Sequence, residues 1–245
     1  MTNTQSLACE FSARIKLYAD GADEKTMLSL LTHPLVQGFT TNPSLMNKAG
    51  VKDYVGFCKQ LLQKITDKPV SFEVFADDLE DMYRQALEIC TWGPHVYVKI
   101  PIMNTQGQST RPIIERLTQA GVQLNITAIF TYQQVYETVS ALKSGAPAVV
   151  SVFAGRIADA GYNPIPLMQA SSALCRAVRS DIELLWASTR EAYNIIQAEQ
   201  CGCAIITVPP DIIKKVDGFG KDPFTLSQDT VLAFKRDACQ AGYKL

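Results

Sequence analysis

The sequence is poor in three features that would each indicate a particular class of protein. Its 245 residues include two histidines, the net charge is −1, and no stretch approaches the ~20 apolar residues of a membrane span. The near-zero charge gives no electrostatic reason to expect a nucleic acid or an anionic membrane as partner. Residues 1–16 contain neither a basic start nor a long apolar run. We therefore expect no secretory signal and predict a cytoplasmic protein.

Signatures of metal and dinucleotide binding are also missing. The seven cysteines are odd in number and scattered, which is typical of reduced thiols rather than a disulfide framework. His33 and His95 show no metal-ligand spacing with the one close cysteine pair, Cys201 and Cys203, so no metal site is predicted. The first strand–helix junction, at residues 20–23, lacks Gly-x-Gly-x-x-Gly, which argues against a dinucleotide cofactor.

Apolar runs and segments of helical period alternate eight times. The runs, mostly continuous as in parallel strands buried on both faces, are Lys16–Asp20, Gly38–Asn42, Val70–Phe75, Val96–Pro101, Leu124–Ile129, Ala148–Phe153, Ile182–Ala187 and Cys203–Val208. The helical segments are Glu24–Leu31, Val51–Ile65, Asp78–Thr91, Thr110–Ala120, Thr131–Ser144, Pro166–Val178, Thr189–Glu199 and a last one from Phe224. This alternation predicts a single-domain (β/α)8 TIM barrel over residues 1–245, with an open doubly wound sheet as the rival. Residues 1–15 are read as a lead-in segment.

The fourth run, Val96–Pro101, carries a lysine near its end, Lys99. Burying an ammonium is costly, and the usual outcome is a neutral amine, which is a nucleophile toward carbonyl carbons. Lys99 is thus a candidate for Schiff-base formation. The alternative is a strand-end lysine that reaches solvent through its long stem.

Polar side chains stand at the ends of most of the other runs. They are Asp20, Thr40, Thr41, Asn42, Glu73, Asn125, Thr127, Ser151, Arg156, Ser188 and Arg190. Taken singly, the Asp, Asn and Thr residues could be caps or turns. Taken together they favour one hydrogen-bonded site, because barrel active sites form at the carboxyl ends of the strands. Arg156, Ser188 and Arg190 follow runs six and seven, where a phosphate monoester would suit two guanidinium groups and a hydroxyl. A surface ion pair is the alternative for Arg190.

Seven motifs occur in a fixed order along the chain. They are Leu17-Tyr18-Ala19-Asp20, Thr40-Thr41-Asn42-Pro43-Ser44, Ser71-Phe72-Glu73-Val74, Val96-Tyr97-Val98-Lys99-Ile100-Pro101, Asn125-Ile126-Thr127, Ser151-Val152-Phe153-Ala154-Gly155-Arg156 and Ala187-Ser188-Thr189-Arg190. In these motifs, from about Lys16 to at least Arg190, the chain resembles the transaldolase family. The resemblance implies a barrel enzyme that needs no cofactor, because the imine formed on Lys99 acts as the electron sink.

The resemblance also implies a role for each site residue. Lys99 would attack the C2 carbonyl of a ketose phosphate, and Asp20 would exchange a proton with the C4 hydroxyl. Glu73 and Thr127, with a water, would move protons during imine formation. The three-carbon unit would be held by residues from three motifs, Thr41, Asn42, Asn125, Ser151 and Phe153. The phosphate would be held by Arg156, Ser188 and Arg190.

Two branches of the family share this scaffold. Compact members that act as fructose-6-phosphate aldolases tend to have Gln and Tyr at the positions of Glu73 and Phe153. The Glu73 carboxylate can carry protons where an amide cannot, and Phe153 lacks the phenol that could help to protonate the enamine. Both residues therefore favour transfer of dihydroxyacetone between sugar phosphates over simple cleavage. The alternatives are an aldolase on the same fold and a barrel without chemistry that only binds sugar phosphate or a partner.

The resemblance further implies a homo-oligomer. Compact members form rings of five, often stacked as decamers, whereas the long members are dimers. The segment from about 222 to 245 is predicted as a C-terminal helix that packs on a neighbouring subunit or docks on its own barrel.

Overall fold

The computed structural model describes residues 14–244 of the chain. Within them, parallel strands pair in sequence order and close into a barrel, with β8 beside β1. The strands are β1 (Lys16–Asp20), β2 (Val36–Thr40), β3 (Val70–Glu73), β4 (Val96–Pro101), β5 (Leu124–Ile129), β6 (Ala148–Val152), β7 (Ile182–Trp186) and β8 (Ile205–Val208). The predicted (β/α)8 barrel is confirmed, and the open sheet was the wrong alternative.

Helices follow every strand in this part of the chain. They are α1 (Glu24–Leu31), α2 (Pro43–Lys48), α3 (Tyr54–Lys64), α4 (Leu79–Ile89), α5 (Arg111–Gln119), α6 (Tyr132–Ala141), α7 (Ala154–Asp159), α8 (Ile165–Val178), α9 (Tyr193–Gln200), α10 (Pro210–Val216) and α11 (Pro223–Ala241). The short helices α2, α7 and α10, directly after β2, β6 and β8, were not predicted. The helix expected from Thr189 begins only at Tyr193, which leaves residues 189–190 in the loop after β7.

Side-chain caps fix where several helices begin. The Asp23 carboxylate accepts a hydrogen bond from the Thr26 N–H at the start of α1, and Thr131 forms a reciprocal capping box with Gln134 in α6. Because Asp23 caps α1, Asp20 does not, and the reading of Asp20 as a helix cap is wrong. Its carboxylate is left at the mouth of the barrel.

Strand β2 begins two residues earlier than predicted and ends at Thr40. The Asn42 side chain accepts a hydrogen bond from the Leu45 N–H and so caps α2, with Pro43 at the first helical position. A residue that starts a helix cannot also extend the strand ladder. This is why the run predicted to reach Asn42 stops earlier.

Along each strand, successive side chains point alternately outward, to the core between barrel and helices, and inward, to the inside of the barrel. In β4, Val98 and Ile100 point outward into the core between barrel and helices, while Tyr97 and Lys99 point inward. The inner cluster consists of Tyr18, Val149, Leu185, Ala187 and Ile205, with Tyr97 packed against it. These side chains fill the barrel below the lysine.

The C-terminal helix α11 has no buried residue among those described. Phe224 is 77% exposed and Phe234 is 68% exposed. Docking of this helix on its own barrel, one of the two predictions, is therefore not what the fold shows. The predicted lead-in falls mainly on residues 1–13, outside the described residues. Within residues 14–244, no helix is both long and apolar enough to cross a bilayer.

Candidate active site

A cavity of about 460 Å³ opens at the carboxyl ends of the strands. Among the predicted site residues, its lining includes Asp20, Asn42, Glu73, Lys99, Asn125, Thr127, Ser151, Phe153, Arg156, Ser188 and Arg190. Thr40 and Thr207 also line it. The barrel thus brings together side chains that are up to 170 positions apart in the sequence, from Asp20 to Arg190. In the described part of the chain, no three His, Cys, Asp or Glu side chains are grouped as a metal site.

Lys99 lies at the centre of this site. It is 7% exposed, and its Nζ lies 2.9 Å from Oε1 of Glu73, the residue beside it in the β3–β4 register. Nζ also donates a hydrogen bond of 2.6 Å to the Thr41 carbonyl. The amine is therefore fixed in place by the neighbouring strand β3 and by the backbone just after β2, and it does not extend into solvent, which removes the alternative reading of Lys99. That it reacts in its neutral form stays a prediction.

Burial dominates the electrostatics of both carboxyl groups. It raises the pKa of Glu73 above its ordinary value, and the Lys99 charge opposes this rise. Burial also raises the pKa of Asp20, while Lys99 and hydrogen bonds from Thr40 and Asn42 act in the opposite direction. The pKa of each acid is thus raised above that of an exposed carboxyl, a direction that suits groups that exchange protons.

Asn125 is locked by hydrogen bonds on both sides of its amide. Ser151 Oγ donates to its Oδ1 at 2.6 Å, and its Nδ2 donates to Ser71 Oγ at 3.0 Å. Ser71 was quoted in a motif but not predicted as a site residue. Ser71 does not line the cavity, and it acts by orienting Asn125. The sequence gives no sign of this contact.

Thr41 differs from its predicted place. It is completely buried, and its hydroxyl donates to the Ser71 carbonyl at 2.9 Å instead of facing the cavity. We therefore correct the prediction that its side chain contacts substrate: the contribution of Thr41 is the carbonyl that anchors Lys99. Thr40 lines the cavity instead, because neighbouring residues of an extended chain point to opposite sides.

Two other polar or aromatic residues complete the wall near β5 and β6. Thr127 Oγ1 is buried and, within residues 14–244, has no protein hydrogen-bond partner. Next to it, Ala128 has a positive φ of 58°, a strained conformation for a residue with a side chain. Phe153 is half-buried and packs on Phe130 with ring centroids 5.5 Å apart. A buried, unpaired hydroxyl is suited to hold a small polar ligand.

The predicted phosphate end lies at the loops after β6 and β7. The Arg156 guanidinium lies 5.3 Å from the Phe153 ring centroid, and Ser188 has a positive φ of 66°. Arg190 donates two hydrogen bonds, of 2.8 and 2.6 Å, to one oxygen of Asp159. The alternative reading of Arg190 as a surface ion pair is therefore also correct, and this arginine both lines the cavity and carries a carboxylate partner.

Comparison with known proteins agrees with the arrangement of the site. The family model described as "Transaldolase/Fructose-6-phosphate aldolase" matches residues 17–243. A "Probable transaldolase" of Dehalococcoides mccartyi is 33% identical over 202 residues, which are 82% of this chain and 90% of that protein. A "Probable transaldolase" of a Thermoanaerobacter species is 31% identical over 94% of this chain and 100% of its own length. A solved structure titled "Native KDPGal structure" matches with a TM-score of 0.52 and 12% identity, over 81% of this chain and 84% of that chain, and shows the fold alone.

The fold and the site define a barrel enzyme of the aldolase kind, with a buried lysine held between the Glu73 carboxylate and the Thr41 carbonyl. The chain belongs to the transaldolase/fructose-6-phosphate aldolase family.

Proposed function

We propose that this protein is a transaldolase, which transfers a dihydroxyacetone unit between sugar phosphates through a Schiff base on Lys99. The observation that carries the proposal is the buried Lys99 amine, 2.9 Å from Glu73 and in the same cavity as Asp20. A carboxyl group with a raised pKa can take the proton of the adjacent ammonium, which leaves a neutral nucleophile.

Imine formation is the first half of the proposed reaction. Nζ of Lys99 attacks the C2 carbonyl of the donor ketose phosphate and forms a carbinolamine. Glu73 and Thr127, with a water, move the protons that let the hydroxyl leave as water. The product is a protonated imine, which accepts electrons from the neighbouring carbon–carbon bond.

Carbon transfer is the second half. Asp20 takes the proton of the C4 hydroxyl, the C3–C4 bond breaks, and its electron pair moves into the imine to give an enamine. The aldose phosphate leaves, and C3 of the enamine attacks the aldehyde carbon of the acceptor. Asp20 then returns its proton to the new hydroxyl, and water releases the product ketose from Lys99.

We assign the binding of the two ends of the donor from the chemical groups of the side chains that line the cavity. The three-carbon unit meets Asn42, Asn125 and Ser151, which offer amide and hydroxyl groups at the inner wall, beside Phe153. The phosphate meets a hydroxyl and two guanidinium groups at the outer wall, from Arg156, Ser188 and Arg190. The expected donors are sedoheptulose 7-phosphate and fructose 6-phosphate, and the acceptors are glyceraldehyde 3-phosphate and erythrose 4-phosphate, as in the pentose phosphate pathway.

The test is turnover of fructose 6-phosphate with and without erythrose 4-phosphate. Without the acceptor we expect glyceraldehyde 3-phosphate from a single turnover at most, and continuous formation only when the acceptor is present. We expect no turnover from Lys99→Arg, which keeps the charge but cannot form the imine. Release of free dihydroxyacetone at a similar rate without acceptor would contradict transfer and favour the aldolase. No turnover under either condition would contradict both enzyme readings.

A further inference from the structure

A threonine on the last strand completes a hydrogen-bond chain that ends on Asp20. Thr40 Oγ1 lies 2.8 Å from Oδ1 of Asp20 and 2.5 Å from Oγ1 of Thr207. Thr207 is 7% exposed and stands on β8, which pairs with β1 on the side of β1 opposite β2. The hydrogen-bond chain therefore joins three consecutive strands of the barrel, β8, β1 and β2, beneath the Asp20 carboxyl group.

The number of hydrogens fixes the direction of this chain. A hydroxyl has one hydrogen to donate, and an ionised carboxylate has none. With Asp20 ionised, Thr40 must therefore donate to Asp20, and the hydrogen between the two threonines must come from Thr207. Donation to Thr40 polarises its hydroxyl and strengthens the hydrogen bond that it makes in turn.

We propose that Thr207 is a positioning residue for Asp20: by donating to Thr40 it holds the Thr40 hydroxyl on Oδ1, so that the carboxylate meets substrate through Oδ2. The contact of Oδ2 with the Asn42 amide nitrogen is longer, 3.4 Å, and so leaves this oxygen more available. The inference rests on the proposed function, in which Asp20 is the base of carbon–carbon cleavage.

The charges that face Asp20 come from the other side of the barrel mouth. They are Lys99 on β4 and, more weakly, Glu73 on β3. On the β2 and β8 sides, Asp20 meets the neutral groups of Thr40, Asn42 and, through Thr40, Thr207. A change at Thr207 therefore alters the hydrogen bonding of Asp20 without altering the charge of the site.

Thr207→Val keeps the shape of the side chain and removes the donor. We expect kcat to fall about three- to tenfold, the effect of one weakened hydrogen bond, with KM changed by less than about twofold. Because a hydrogen bond that favours the ionised form is weakened, the pKa of Asp20 rises further and the acidic limb of kcat/KM moves to higher pH. Thr207→Ser, which keeps the hydroxyl, restores both.

Two controls separate positioning from general packing. Thr138→Val makes the same chemical change on α6, where the hydroxyl donates to the Gln134 carbonyl at 2.8 Å away from the cavity, and should leave rate and pH profile unchanged. In a Thr40→Val background, Thr207→Val should have no further effect, since it acts through Thr40.

A readout that needs no turnover is the titration of Asp20 itself. In protein labelled with ¹³C at the aspartate carboxyl, the Asp20 signal is the one lost in Asp20→Asn. We expect its midpoint at higher pH in Thr207→Val than in the unaltered protein. An unchanged midpoint, or equal losses of rate with and without Thr40, would overturn the inference. Absence of transfer by the unaltered protein would instead overturn the proposed function, so the two failures are distinguishable.

Discussion

Three ionisable side chains on β1, β3 and β4 share one cavity, and the charge of Lys99 acts on the proton affinity of both carboxyl groups. Burial raises the pKa of Asp20 and Glu73, and Lys99 opposes both shifts. In the proposed reaction, a proton moves between the two partners of the pair at 2.9 Å. Buried reactive groups of this kind lower the stability of the fold. Substitution of each residue therefore tests its effect on both activity and stability.

Glu73→Gln keeps the size of the side chain and removes its ability to carry a proton. We expect kcat for transfer to fall about 100-fold, within the range of acid–base contributions, while the KM for the ketose phosphate changes little. Steady-state kinetics over several donor concentrations measure both values. An unchanged kcat with a raised KM would contradict the proton-transfer role and assign Glu73 to binding alone.

Asp20→Asn should abolish transfer and yet stabilise the fold at neutral pH. The pKa of Asp20 is higher in the folded than in the unfolded chain, so the folded chain binds more protons between these values. The free energy of unfolding then falls as pH rises through that interval. The gain in Tm from Asp20→Asn should therefore be larger at about pH 8 than at about pH 4.

Asp77→Asn is a control of opposite sign. Hydrogen bonds from Thr105 lower the pKa of Asp77, so its carboxylate stabilises the fold above the unfolded pKa, and this contribution is lost as pH falls. This substitution should lower Tm near neutral pH and have less effect in acid. A pH-independent change in Tm for Asp20→Asn would contradict the burial of a reactive carboxylate.

At the scale of single elements, the short helices after β2, β6 and β8 shape the mouth. The sequence contained a signal for α2, since Asn42 is a good cap and Pro43 suits the first helical position. It contained little signal for α7, whose first residues have no side-chain cap. Thr41 is assigned to the three-carbon unit through the resemblance, although residues two apart in an extended chain share a face, and it is Thr40 and Asn42 that line the cavity.

Gly155 in α7 is a point where two elements touch. A Cβ built there would lie 1.6 Å from the Ser188 carbonyl oxygen, which is backbone and cannot move aside alone. Gly155→Ala should therefore separate α7 from the loop after β7, with a loss of about 1–3 kcal/mol in the free energy of unfolding. Because Arg156 and Ser188 move apart with it, the KM for sugar phosphate should rise.

Gly218→Ala is the matched control. The nearest atom to its Cβ would be the Lys215 carbonyl oxygen at 3.4 Å, close to ordinary contact. Denaturant unfolding and donor kinetics of the two variants test the claim. If Gly155→Ala kept the stability and KM of the unaltered protein, the close packing of α7 on the β7 loop would not position the phosphate end.

At the scale of the whole molecule, the barrel and the composition of its mouth could be predicted from sequence. Continuous apolar runs indicate strands that are buried on both faces, and in a barrel the carboxyl ends of these strands must converge. Side-chain partners could not be predicted, because they depend on register and stagger around the closed sheet. The Thr207–Thr40 and Arg190–Asp159 contacts each join residues from different elements, with no local pattern in the sequence.

The exposed apolar side chains of α11 lead us to propose that the protein is a homo-oligomer in which this helix packs on a neighbouring subunit. They are Phe224, Leu226, Val231, Leu232 and Phe234. Isolated chains rarely leave so many large apolar groups of one helix in water. Sedimentation analysis should give a multiple of 26.9 kDa, either a dimer or a ring of five or its stacked decamer.

Phe224→Glu with Phe234→Glu should shift the protein to a smaller species while the barrel stays folded, because both side chains lie outside its core. Tyr162→Glu, at another exposed aromatic residue, is the matched control and should leave the mass unchanged. A monomer in the unaltered protein would contradict the proposed assembly without affecting the site.

Reduction with borohydride in the presence of fructose 6-phosphate tests the central claim most directly. The account predicts that a reduced adduct of the three-carbon unit or of the whole ketose phosphate appears on the peptide containing Lys99, and that Lys99→Arg prevents it. Mass spectrometry of the digested protein locates the added mass. An adduct on another lysine, or none on any, would contradict the assignment of Lys99 as the Schiff-base residue.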